Sequence, residues 1–193
     1  MALCVTRIQP ERAATERCAS SLGRSFGNVH PLCCAGGGCM GQLGTLGTAF
    51  TRQLQDVLVS AGDEAQRYNH QWVGTEHLLL ALTLQRDSVA DRILTTSAVD
   101  VSAVRDRIDF IVRRGEGPGI SPPGLTLRAW KVLGLALLER KNLDHLRVTT
   151  GHLVLGMLAE PEGIAGRVLE EHGVSIDAVR REVRSAAGSS TKQ

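Results

Sequence analysis

The chain has 193 residues, a formal net charge of +2, 42% hydrophobic residues and only three Phe, two Trp and one Tyr. That length suits one domain with a real core, and the core must be aliphatic. The near-neutral charge excludes the electrostatic footprint of a nucleic-acid binder, and no run of apolar residues is long enough to span a bilayer as a helix. All five cysteines (Cys4, Cys18, Cys33, Cys34 and Cys39) precede the periodic region, so no disulfide frames it, as expected in a reducing compartment.

Residues 1–49 show no sustained hydrophobic period and contain Gly36-Gly37-Gly38. Such a stretch cannot bury enough surface to offset its ordering entropy, and a disordered extension is expected there. From Phe50 onward the chain matches itself without a gap at an offset of 75: Thr51 falls on Thr126, Glu64 on Glu139, His70 on His145, Thr75 on Thr150, His77 on His152 and Arg105 on Arg180. Gapless self-similarity at one offset is an internal duplication.

Each copy reads as four helices. The first begins at Thr51 or Thr126, where a hydroxyl can cap the free amides of the first turn, and continues with Leu54, Val57, Leu58 and Ala61 at three- and four-residue steps. The second begins at Thr75 or Thr150, again with a threonine as the expected cap. It is apolar on every face, which predicts a buried central helix. The third covers about 88–95 and 163–172, with Gly173 as a stop. The fourth starts near Asp100 or Ser175. The expected fold class is therefore all-α, with two tandem four-helix repeats, about eight helices, related by pseudo-two-fold symmetry. The expected layout is an extension over 1–49 and a double-repeat domain over 50–184, ending in a disordered tail over 185–193. Within the domain, repeat one is 50–114, a Gly/Pro linker is 115–125 and repeat two is 126–184.

Phe50-Thr51, Glu64-Ala65, Asn69-His70 and the run Val73-Gly74-Thr75-Glu76-His77-Leu78-Leu79-Leu80, with a weaker second version around Thr126, His145 and Thr150-Gly151-His152-Leu153, carry a resemblance. The chain resembles the N-terminal Clp repeat domain of ClpC/ClpA-type unfoldases from about Phe50 to Val183. The resemblance implies a non-catalytic module that docks protein substrates or adaptors for an ATP-driven unfoldase and its peptidase, or regulates them. An alternative is a free-standing domain that captures peptides or small ligands in competition with a full-length unfoldase. No Gly-x-x-x-x-Gly-Lys-Ser/Thr loop occurs in these residues, so we expect the docking domain alone, without ATPase modules. The expected partners are protein substrates, adaptors or Clp subunits, with no nucleic acid and no membrane. The expected location is cytoplasmic, or an organelle stroma if residues 1–49 serve as a transit peptide.

Among candidate residues, Glu76 is a first-turn carboxylate, which free helix-start amides stabilise by up to about 1 kcal/mol. The resemblance adds a second reading, in which Thr51 and Glu76 of copy one read a phosphoarginine-like group or a peptide. Thr126 keeps the threonine in copy two, where Gly151 replaces the acid. Restoring an acid at Gly151 would then be expected to build a second site. His77, His152, His70 and His145 read as buried hydrogen-bonding groups. Trp130 is either a groove contact or core. Neither these histidines nor the cluster His30, Cys33, Cys34 and Cys39 has the spacing of a zinc site, and no metal, cofactor or catalytic residue is expected.

Overall fold

The computed structural model describes residues 48–116 and 123–189, which lie within one unit. The expectations for residues 1–47 and 190–193, including the extension and its cysteines, fall outside the described residues. Eight helices are present among the described residues: α1 (Arg52–Arg67), α2 (Thr75–Leu84), α3 (Val89–Thr96), α4 (Val101–Ile111), α5 (Leu127–Asn142), α6 (Thr150–Leu158), α7 (Ile164–Glu171) and α8 (Ile176–Ser189). The expected all-α fold of two four-helix sets is what forms. Helix α8 runs to Ser189, so residues 185–189 are helix rather than tail. The stripe that buries Val179, Val183 and Ala186 keeps its period past the expected end.

Helices α2 and α6 form the centre. Leu78, Leu79, Leu80 and Leu82 of α2 and Leu153, Val154, Leu155 and Met157 of α6 are all at most 1% exposed. Each such side chain contributes on the order of 1.5–3 kcal/mol when fully buried. Helix α1 covers α2 and α5 covers α6, each through an aliphatic stripe. The two sets then interlock: α3 packs on α6 and α8, while α7 packs on α2 and α4.

The duplication is visible in detail. Helices α1 and α5 both end in a left-handed residue, Asn69 at φ 58° and Asp144 at φ 54°, a conformation these short polar side chains tolerate. Ala98 at φ 51° stands where the second copy has Gly173 at φ 81°. Glu139 receives a two-pronged pair from Arg180 at 3.1 and 3.3 Å, and the matching Glu64 faces Arg105 at 3.8 Å. Both pairs tie the first helix of a set to its fourth.

The capping differs from the sequence expectation. Thr126 caps α5, its Oγ1 accepting from Ala129 N–H at 3.1 Å, whereas Thr51 Oγ1 is buried without a hydrogen-bond partner among the described residues. Thr75 and Thr150 are the first helical residues, not the caps. Their hydroxyls reach across the molecule instead, Thr150 Oγ1 accepting from Ala90 N–H at 3.1 Å and Thr75 Oγ1 from Ala165 N–H at 3.5 Å. Each central helix thus supplies a hydrogen bond to the third helix of the other copy. The N-caps of α2 and α6 are Gly74 and Thr149, and their backbone amides donate to His77 Nδ1 at 2.9 Å and His152 Nδ1 at 3.0 Å.

Candidate functional site

Two very short parallel pairings decide which helix starts meet. Strand β1 (Trp72–Val73) pairs with β2 (Gly124–Leu125), and Thr126 N–H donates to Val73 O at 2.9 Å. At the other junction Phe50 bridges Val148, and Thr51 N–H donates to Val148 O at 3.0 Å. The start of α5 therefore lies beside the start of α2, and the start of α1 beside the start of α6. The pairing is crossed between copies.

Thr126 and Glu76 consequently line one cleft of about 510 Å³, together with Leu127, Arg128, Lys131, Glu160, Glu162 and Ile164. Thr51 is not part of this lining; it stands at the α6 start, near the position of Gly151. The pairing of Thr51 with Glu76, read from their shared copy, is thus corrected to Thr126 with Glu76. The Thr51–Gly151 junction is filled. A β-carbon on Gly151 would lie 2.6 Å from both Val89 Cγ1 and Val183 Cγ2, so α3 and α8 occupy the space an acid would need.

In the open cleft the Glu76 carboxylate folds back over Gly74 and is 15% exposed, with Thr75 O–H donating to Oε2 at 3.5 Å. Two cations approach from α5. Arg128 pairs with Glu162 at 2.9 Å and holds that carboxyl below the usual carboxylate range. Lys131 Nζ lies 2.6 Å from Glu160 Oε2. Among the described residues, three carboxylates and two cations leave the lining one negative charge in excess, and Glu76 has neither cation as its partner.

Behind Glu76 lies a histidine relay. Gly74 N–H donates to His77 Nδ1, which puts the neutral ring's proton on Nε2. That proton is donated to His70 Nδ1 at 2.9 Å, and His70 Nε2–H is donated to Arg113 O at 2.7 Å. Burial, reinforced by His70, pushes His77 down to about 4. The second copy repeats the arrangement, with His152 Nε2 at 2.9 Å from His145 Nδ1 and His152 likewise pushed down to about 4 by burial. His70, Glu76 and His77 place ligand-type atoms within 4.8 Å of one another, but the ring lone pairs are engaged in hydrogen bonds. The same pair of histidines stands in copy two, where Gly151 replaces the acid, which fits a structural role for the relay. Tyr68 closes the relay's flank in copy one, its O–H donating to Asp109; burial, with that bond, pushes the phenol up to about 12.

Residues 49–144 and 124–193 each match the family model described as the Clp repeat (R) N-terminal domain. The chain belongs to this family. It is 36% identical over 144 residues to the chaperone protein ClpB of Oceanobacillus iheyensis, covering 75% of this chain and 18% of that one. It is also 36% identical over 143 residues to the chloroplastic chaperone ClpC1 of Oryza sativa subsp. japonica, covering 74% of this chain and 16% of that one. The chain thus spans less than a fifth of the length of either relative. Among solved structures, a ClpV N-domain in complex with a VipB peptide superposes with a TM-score of 0.64 at 18% identity, covering 78% of this chain and 94% of that one.

Within this Clp N-domain, Trp130 is partly buried against the core and does not line the cleft, so packing is its observed role. Sequence reasoning missed Arg128, Lys131, Glu160 and Glu162. The available signal was the acidic pair Glu160-Pro161-Glu162 just before the third helix of copy two, where copy one has Gln85-Arg86-Asp87. No helix among the described residues is long and apolar enough to cross a membrane.

Proposed function

We propose that this chain is a non-catalytic protein-docking module of a Clp-type chaperone or protease system, and that its open cleft receives an arginine side chain of the docked partner. The observation that carries the reading is Glu76: a mostly buried carboxylate at a helix start that, among the described residues, has no Lys or Arg partner, in a cleft whose described lining carries one negative charge in excess. A guanidinium matches it, because its planar fork bonds a carboxylate through two parallel hydrogen bonds. The peptide-bound ClpV N-domain, which shares this fold, supports a docking role for the domain. A phosphorylated arginine also finds partners here, since the Thr126 hydroxyl and the α5 cations Arg128 and Lys131 lie beside the acid. The histidines nearest the cleft have ring nitrogens committed to hydrogen bonds, which argues against a general base and for binding alone. Delivery of substrates to an unfoldase is the leading role, and capture of peptides in competition with one is the alternative.

Calorimetry with peptides carrying arginine or phosphoarginine tests the reading. Glu76→Gln keeps the shape and removes the charge, and should weaken binding about ten- to a hundredfold, the equivalent of about 1.5–3 kcal/mol for a charged hydrogen bond. Thr126→Ala should weaken phosphoarginine binding, while Thr51→Ala should leave it unchanged. Equal binding by wild type and Glu76→Gln would reject the cleft as the arginine site.

A further inference from the structure

Lys131 and Glu160 line the same cleft, where their ion pair links α5 to the turn before α7. Glu160 lies in the turn between α6 and α7, where its N–H donates to Met157 O and its carbonyl accepts from Gly163 N–H. Its side chain is only 1% exposed although it belongs to a connecting turn, while Lys131 is 59% exposed. The Lys131 ammonium is 2.6 Å from Glu160 Oε2 but approaches off the hydrogen-bonding direction, and no donor among the described residues makes a hydrogen bond to that oxygen. A buried carboxylate is costly to desolvate, and one flexible ammonium held without directed hydrogen bonds compensates it incompletely.

The duplication separates what the fold needs from what the cleft needs. The Glu64–Arg105 and Glu139–Arg180 pairs recur in both copies, as do the two histidine relays. The Lys131–Glu160 pair does not recur: at the matching positions copy one has Asp56 and Gln85. The pair exists only at the cleft that also carries Glu76.

We propose that Lys131 is a displaceable occupant of Glu160, and that an incoming guanidinium takes its place, so that arginine is read by two carboxylates, Glu76 and Glu160. This rests on the docking reading above. Exchange favours arginine over lysine: a lysine would offer Glu160 the same head group it already has, whereas a guanidinium adds two directed hydrogen bonds. Lys131, once released, stays at the cleft mouth with its charge facing the ligand.

The test is calorimetry at pH 7.5 on the full chain, with acetyl-Gly-Arg-Gly-amide and its lysine counterpart as probes. Lys131→Met should raise affinity for the arginine peptide about tenfold and that for the lysine peptide too. Adding Glu160→Gln to Lys131→Met should remove the gain. Lys131→Arg, which keeps charge and bulk but seats a guanidinium on Glu160, should weaken arginine binding several-fold. Unchanged or weaker binding by Lys131→Met, or wild-type affinity in Lys131→Arg, would overturn the proposal. If wild-type binding still depends on Glu76 in that case, the docking reading stands and only the displacement fails. If no variant binds either peptide, both fail.

Discussion

Gly151→Glu should lower the thermal midpoint by about 10 °C and leave the binding stoichiometry at one. From the repeat alignment alone the same change restores a missing acid and should create a second site. The structure reverses that expectation. The β-carbon of any residue at 151 would sit 2.6 Å from Val89 Cγ1 and Val183 Cγ2, which belong to two different helices. Overpacking a filled interior costs about 1–3 kcal/mol, and a carboxylate buried there without a donor adds several more before relaxation. For a domain of this size each kcal/mol is worth about 3–4 °C. Thermal melting and calorimetry of the one variant check both halves of the statement. Combining it with Val89→Ala should recover part of the lost midpoint, because that change removes one of the two colliding methyl-bearing side chains. A Gly151→Glu protein that melts like wild type and binds two ligands would show that the junction opens.

The second large effect is acid destabilisation through the two relays. His77 and His152 are fully buried and titrate at about 4 in the folded chain, against about 6.5 when unfolded. A depressed histidine stays neutral in the native state while the unfolded chain takes up the proton, so between pH 6.5 and pH 4 the unfolded state binds more protons. Stability is therefore intact above pH 6.5 and is lost progressively as pH falls to about 4, where the effect levels off. Each histidine contributes on the order of 2–3 kcal/mol over that window. Urea unfolding at stepped pH should show a slope approaching two protons near pH 5. His152→Asn offers Thr149 N–H an acceptor that does not titrate, and should bring the slope to about one. A midpoint that does not move between pH 6.5 and pH 4.5 would contradict the neutral relay.

Much of the fold was legible because the hydrophobic pattern repeats without a gap. The apolar α2 and α6, the stripes of α1 and α5, and the stop at Gly173 all follow from local periodicity and capping chemistry. What was not legible lies in contacts between copies. Two-residue strands such as Trp72–Val73 carry no readable period, yet they set the crossed pairing of helix starts. Thr75 looks like a local cap, but its hydroxyl is spent on Ala165 of the other copy. Thr51 and Glu76 share a copy and read as a pair in the sequence; the crossed junctions send Thr51 to the Gly151 side and bring Thr126 to Glu76. The buried state of Glu160 was invisible as well, since a charged residue in an acidic, proline-containing turn reads as solvated, and only the structure shows it at 1% exposure beside Lys131.

The crossed cleft joins Glu76 of one copy to Thr126 of the other, and backbone amide mapping by NMR tests it most directly. On titration with an arginine-bearing peptide, the amides of Gly74, Thr75, Glu76, Thr126 and Gly163 should shift together with one dissociation constant, while those of Thr51, Thr150 and Gly151 stay in place. Shifts at Thr51 and Gly151 of the same size, or shifts confined to residues away from both junctions, would contradict it.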